Sequence, residues 1–227
     1  MMSAMKCVLL AGASLLALAS GAAEAVVYKV TTGGTIAAGL DFGLFGASES
    51  RDLTGLGYTM SMTVNTAGAS ILTNPVTFQV SGAAPNAVFV SITVDGTTFS
   101  GFSGSAAFSS LIQSTLSVDG LPFDGIDSSA EGTAVDGQFI SAFHQVYSLI
   151  HSFVPAADPA QTISYTVDPA NDIAAGLFSS SGPDGDAALV LLPEWITLGA
   201  VTEVAEPETI ALLGLGLMGL GAARRRR

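Results

Sequence analysis

The chain is poor in several things, and each shortage narrows what it can be. Among 227 residues there is one cysteine, Cys7, so no disulfide framework, thiolate metal site or cysteine nucleophile can form beyond the N-terminal segment. Basic residues are scarce: seven Lys and Arg against 19 Asp and Glu give a formal charge of −12. Four of those seven are the terminal Arg224–Arg227, and between residues 26 and 203 only Lys29 and Arg51 are basic. A body this acidic is repelled by nucleic acid and anionic lipid headgroups, which excludes both as partners. Charged residues of either sign make up only 11% of the chain, so its polar surface must be built from Ser, Thr, Gly, Asn and Gln.

Catalytic signatures are also missing. No Gly-x-Ser-x-Gly elbow, phosphate-binding Gly-x-x-x-x-Gly-Lys loop or His-Glu-x-x-His pair occurs. The two histidines, His144 and His151, lie seven residues apart and are the candidates for a metal or acid–base pair. Acidic turns at Asp119, Asp124 and Asp127, and at Asp184-Gly185-Asp186, are a second candidate, for calcium. Neither follows an Asp-x-Asp-x-Asp-Gly loop, and Asp-Gly is what hairpin turns require without any ion. The expectation is therefore no cofactor and no catalytic residue. A secreted hydrolase using two carboxylates is the rival reading, because such pairs are defined by separation in space.

What is present is organised by the two ends. Lys6, an apolar run from Val8 to Ala19, and the small residues Ala23 and Ala25 around Glu24 have the pattern of a signal peptide over residues 1–25, cut by signal peptidase after Ala25. At the other end, Val204-Ala205-Glu206-Pro207 precedes an uncharged run from Ile210 to Ala223 and then Arg224, Arg225, Arg226 and Arg227. As a helix of about 1.5 Å per residue the run reaches about 21 Å, short of the roughly 30 Å of a bilayer core. It is a marginal anchor, stopped by arginines that resist crossing.

Residues 204–227 resemble the PEP-CTERM sorting signal of Gram-negative bacteria. Val204, Glu206, Pro207, the Leu/Gly-rich run and the arginines match in order and spacing, with Ala205 where the family has its first proline. The resemblance implies processing by an exosortase-type membrane enzyme, transient anchoring in the inner membrane, and delivery to the cell surface or beyond in bacteria that make exopolysaccharide. The implied role is a surface or matrix protein of the biofilm, with exopolysaccharide as a partner.

Residues 26–203 form the remaining domain. Tyr58, Met60, Met62 and Val64 alternate with Thr59, Ser61 and Thr63, the pattern of a half-buried strand. Val88–Val94 repeats it, and Asp95-Gly96 predicts a two-residue hairpin pairing Val94 with Thr97 and Ile92 with Phe99. Asp119-Gly120 predicts a second hairpin, whose Pro122 points to a sheet edge. Val26–Thr32 is a first strand ended by Gly33-Gly34, and residues 39–57 are loop with one short strand. Further strands fall at Val76–Val80, Ile163–Val167, Ala187–Leu192 as a fully buried run, and Trp195–Val201. Phe139, Ile140, Phe143, Val146, Tyr147 and Ile150 share one face of an amphipathic helix over about 138–153, with Asp136 as cap and Pro155 as stop. The reading is mainly β: a single β-sandwich-like domain carrying that one helix, between the signal peptide and a transmembrane sorting helix. A carbohydrate-binding module is the functional alternative, with Phe89, Tyr165 and Trp195 as the aromatics that would meet a sugar.

Overall fold

A computed structural model describes residues 25–46, 49–85, 87–101, 105–118 and 121–201. The proposed signal peptide up to Glu24 and the sorting signal from Val204 lie outside the described residues. Among the described residues thirteen strands follow one another: β1 (Val27–Phe42), β2 (Arg51–Asp52), β3 (Gly57–Asn65), β4 (Ser70–Asn74), β5 (Thr77–Pro85), β6 (Val88–Val94), β7 (Thr97–Gly101), β8 (Ser105–Val118), β9 (Leu121–Thr133), β10 (Phe139–Ser148), β11 (Ile163–Thr166), β12 (Asp172–Ser181) and β13 (Asp186–Ala200). They pair in one sheet in the order β4-β5-β8-β9-β10-β12-β13-β1-β3-β6-β7, with β11 added to β13 and β2 to β1.

The mainly-β expectation holds, but the strands form one curled sheet in place of two separately paired ones. The curl is tight. Six places apart in the strand order, Tyr28 of β1 and Phe78 of β5 meet edge to face with ring centroids 6.1 Å apart. Phe99 on the edge strand β7 reaches Phe178 of β12 at 5.9 Å. The concave face thus closes on its own side chains, and Val30, Met60, Met62, Ile92, Ile112, Ile126, Ile140 and Ile196 are buried there. Burial of this apolar surface is what holds a chain without disulfides.

The expected helix is absent: residues 139–148 form β10, paired over its full length with β9 on one side and β12 on the other. Its even positions Ile140, Ala142, His144, Val146 and Ser148 point inward, and Phe139, Phe143 and Tyr147 point away. Both faces mix apolar and polar residues, so the period of two was hidden. The run's aromatic and β-branched residues suit a strand, and neighbours on both sides complete its ladder.

Three other expectations shift for related reasons. Gly33 and Gly34 do not end β1, which continues to Phe42. A Cβ on Gly33 would lie 2.2 Å from the Trp195 ring, and one on Gly34 would lie 2.1 Å from the Leu192 carbonyl oxygen, so these glycines serve close approach at a bulge. Ala187–Leu192 and Trp195–Val201 belong largely to one strand, β13, whose first part alternates between buried Leu189 and Leu191 and half-exposed Val190 and Leu192. Pro122 sits in β9, an interior strand, but beyond Asp124↔Ser148, the last pair with β10 on that side.

The first hairpin forms as expected, with Val94↔Thr97 and Ile92↔Phe99. Asp95 and Gly96 have φ of 51° and 80°, the left-handed pair of a type I′ turn. Gly96→Val forces a β-branched side chain into that conformation and should cost on the order of 1–2 kcal/mol. Thermal melting of residues 25–201 is the check; an unchanged midpoint would mean the turn does not carry the strain assigned to it.

Candidate functional site

The convex face of the sheet is where the sequence's surplus of Ser and Thr is assembled. On β3 the inward positions are apolar, so Thr59, Ser61 and Thr63 point to the other face, where Thr59 is exposed, Thr63 half-buried and Ser61 buried. The same parity acts on each neighbour, and the register decides which hydroxyls meet. Ser164 (β11), Thr197 (β13), Thr31 (β1), Ser61 (β3), Ser91 (β6) and Ser100 (β7) are consecutive cross-strand partners. This is an unbroken hydroxyl row over six strands. At about 4.8 Å per strand it runs about 24 Å.

A flanking row reads Thr166, Trp195, Gly33, Thr59, Thr93 and Thr98, and on the other side Gly199, Lys29, Thr63 and Phe89 line up. Hydroxyl contacts stiffen the far end: Thr93 Oγ1 and Thr98 Oγ1 are 2.8 Å apart, and Ser100 Oγ donates to Ser91 Oγ at 3.1 Å. Trp195 lies in the space left by Gly33, and Phe89 is 45% exposed at the opposite corner. A groove of about 330 Å³ runs between Lys29, Thr31, Thr162, Ser164 and Thr197. These three rows carry no carboxylate, in a domain whose charged residues are nearly all acids. The surface offers regularly spaced donors and acceptors without net negative charge.

The aromatics proposed from the sequence are not brought together. Trp195 and Phe89 share the convex face. Tyr165 pairs with inward-facing Ile196 and stacks on Phe153, with centroids 4.2 Å apart. Its hydroxyl donates to Asp172 Oδ2 at 2.6 Å, and burial, then Asp172, push its pKa up to about 12. Tyr165 is therefore a packing residue.

The histidines are separated as well. His144 is fully buried on β10, with Nδ1 3.0 Å from Thr32 Oγ1. His151 is past the end of that strand and exposed, with Nε2 3.6 Å from Asp168 Oδ2. Of the acidic turns, Asp119 lies outside the described residues. Asp124 is buried and accepts from Ser152 Oγ and the Val154 N–H, at 3.0 and 2.9 Å. Asp127 points to the other face of β9, where the Tyr147 hydroxyl donates to it; burial raises its pKa and that hydrogen bond opposes the rise. Asp184 N–H donates to Gln138 Oε1, and Asp186 Oδ1 accepts from Gly182 N–H. Among the described residues no three His, Asp or Glu side chains converge as metal ligands. The hydroxyl row itself was not visible in the sequence. Alternating Thr and Ser marked single outward faces, but nothing local says that Thr31 faces both Ser61 and Thr197.

Residues 203–227 match the family model of the PEP-CTERM protein-sorting motif. No curated protein and no solved structure matches the chain. The motif marks an exported protein sorted at the membrane in an exosortase-dependent way.

Burial holds the His144 ring neutral, with its pKa pushed down to about 3. The unfolded chain takes up that proton below the ordinary value of 6.5. Stability is therefore full above pH 6.5 and falls with pH until about 3, by about 2 kcal/mol between pH 7 and pH 5. Urea unfolding of residues 25–201 at the two pH values should show this loss, and His144→Leu should flatten it.

Proposed function

We propose that this protein is a non-enzymatic surface or matrix component that holds neutral exopolysaccharide on its convex hydroxyl face after exosortase-dependent sorting. The observation that carries the reading is the carboxylate-free row from Ser164 to Ser100 on an exported, acidic domain. Its strand-by-strand spacing is close to one sugar of an extended polysaccharide, so successive residues meet equivalent hydroxyls. Each contact is weak, and a repeating ligand engages many at once. Trp195 and Phe89 supply apolar ring faces at two corners of the patch. The surrounding acids favour an uncharged polymer over a polyanion.

The binding half is tested by affinity electrophoresis of the exported chain in gels containing neutral or polyuronic polysaccharides. Retardation is expected in at least one neutral gel. Ser91→Glu with Ser164→Glu should weaken it at least tenfold, about 1.4 kcal/mol. Absence of retardation by every neutral polymer would remove this reading of the face.

The sorting half concerns Glu206-Pro207 and the arginines. In a host with the matching exosortase, the mature product should begin at Val26 and lack Arg224–Arg227. Intact-mass measurement distinguishes this from a plain anchor, which would keep all four arginines.

A further inference from the structure

Beyond the hydroxyl rows the convex face changes character. On β10, β12 and the far halves of β13 and β1, the register aligns Phe143, Leu177, Val190 and Ala38. Ser141, Ser179, Ala188 and Leu40 form the next row. Leu40, Phe42, Leu177, Val190, Leu192 and Ile173 are each between 44% and 52% exposed. A shallow groove of about 420 Å³ runs among Leu40, Phe42, Leu177 and Val190. These eight positions carry no charge; the carboxylates Asp52, beside Leu40, Glu131, beside Ser141, and Asp186, beside Phe42, stand at the margins.

We propose that this apolar face docks a second copy of the chain through a two-fold symmetric contact. Six large side chains at half exposure present on the order of 500 Å² of apolar surface. With its polar rim, such a patch approaches the roughly 800 Å² per partner of a standard interface. Charge selects the same place. Two copies of so acidic a chain repel wherever carboxylates face one another, and the centre of these rows, around Leu177 and Val190, keeps Asp52, Glu131 and Asp186 at the rim of the contact. The side chains are chiefly aliphatic, which suits a protein surface more than a sugar. Lipid is disfavoured by position: Val190 lies ten residues from Ala200, about 33 Å along β13 from where the chain runs on toward the sorting signal. A symmetric contact places the same residues opposite one another in both copies.

The cysteine-free sequence after Cys7 makes the test direct. Ala188→Cys is introduced into the full chain, and intact cells are treated with a short bis-maleimide. A product of twice the chain mass is expected, its intact mass showing two identical chains. Ser91→Cys, on the hydroxyl face, should remain monomeric under the same treatment. Adding Val190→Glu to Ala188→Cys should reduce the linked product at least tenfold, with the protease resistance of the exported chain unchanged. Sedimentation of the unsubstituted exported chain is the independent measurement, and a dimer mass is expected. The proposal is overturned by a monomeric mass, by linkage to a different protein, or by equal linkage at Ala188→Cys and Ser91→Cys.

Discussion

The antiparallel ladder between β1 and β13 is the constraint on which the rest of the molecule depends. It runs from Tyr28↔Ala200 to Phe42↔Asp186 and joins segments more than 140 residues apart in the chain. From this central pair the sheet extends on one side through β12, β10, β9, β8, β5 and β4, and on the other through β3, β6 and β7. A slip of one residue would carry every side chain of one strand to the opposite face. A slipped β1 would take Tyr28 and Val30 out of the core and bring Thr31 in; a slipped β13 would take Leu189 and Ile196 out and bring Thr197 in. The bulges near Gly33-Gly34 and Ile36/Ala38 are therefore fixed by packing: Trp195 fills the space over Gly33 and the Leu192 carbonyl crowds Gly34. Pro193 falls between the stretch of β13 paired with β12 and the stretch paired with β11, and on the other side it is aligned with Gly34 at the bulge.

Buried polar groups add specificity to a core that apolar packing alone would specify loosely. Gln138 is almost fully buried, yet its side-chain nitrogen donates to Ser180 Oγ and the Gly185 carbonyl, and its oxygen accepts from Asp184 N–H. One amide thus ties the start of β10 to the end of β12 and the turn before β13. Asp124 holds the segment after β10 through Ser152 and Val154, while Ser114 Oγ donates to the Val154 carbonyl. Thr32 and His144 meet across the concave face and join the two halves of the curl. Each contact is satisfied in this register and lost in a slipped one, which is how hydrogen bonds of modest net strength select a single structure.

The same ladder divides the outer surface. Toward Ala200 the convex face is a hydroxyl field with Trp195 set into it, and toward Asp186 it is apolar. An exported chain without disulfides gains stability from its concave core, so the convex face is free to carry recognition. The proposed association with exopolysaccharide and the proposed docking of a second copy use different stretches of one rigid sheet. Neither requires the other to be displaced.

Local chemistry was legible without coordinates. The sorting motif, the acidic body, the Asp95-Gly96 hairpin and the strand at Tyr58–Val64 each depend on residues within a few positions of one another. The helix expected over 138–153 failed because one sequence can satisfy two periods, and the choice was made by strands β9 and β12 lying on either side. Gly33-Gly34 resembled a strand end because a glycine's neighbour in space, here Trp195, is invisible in the chain. The hydroxyl row, the apolar rows and the burial of His144 were decided only by tertiary structure. A strand's inward and outward faces follow from alternation, a property of positions i and i+2. Which faces are joined into a surface follows from register, set by the core packing of residues far apart in sequence.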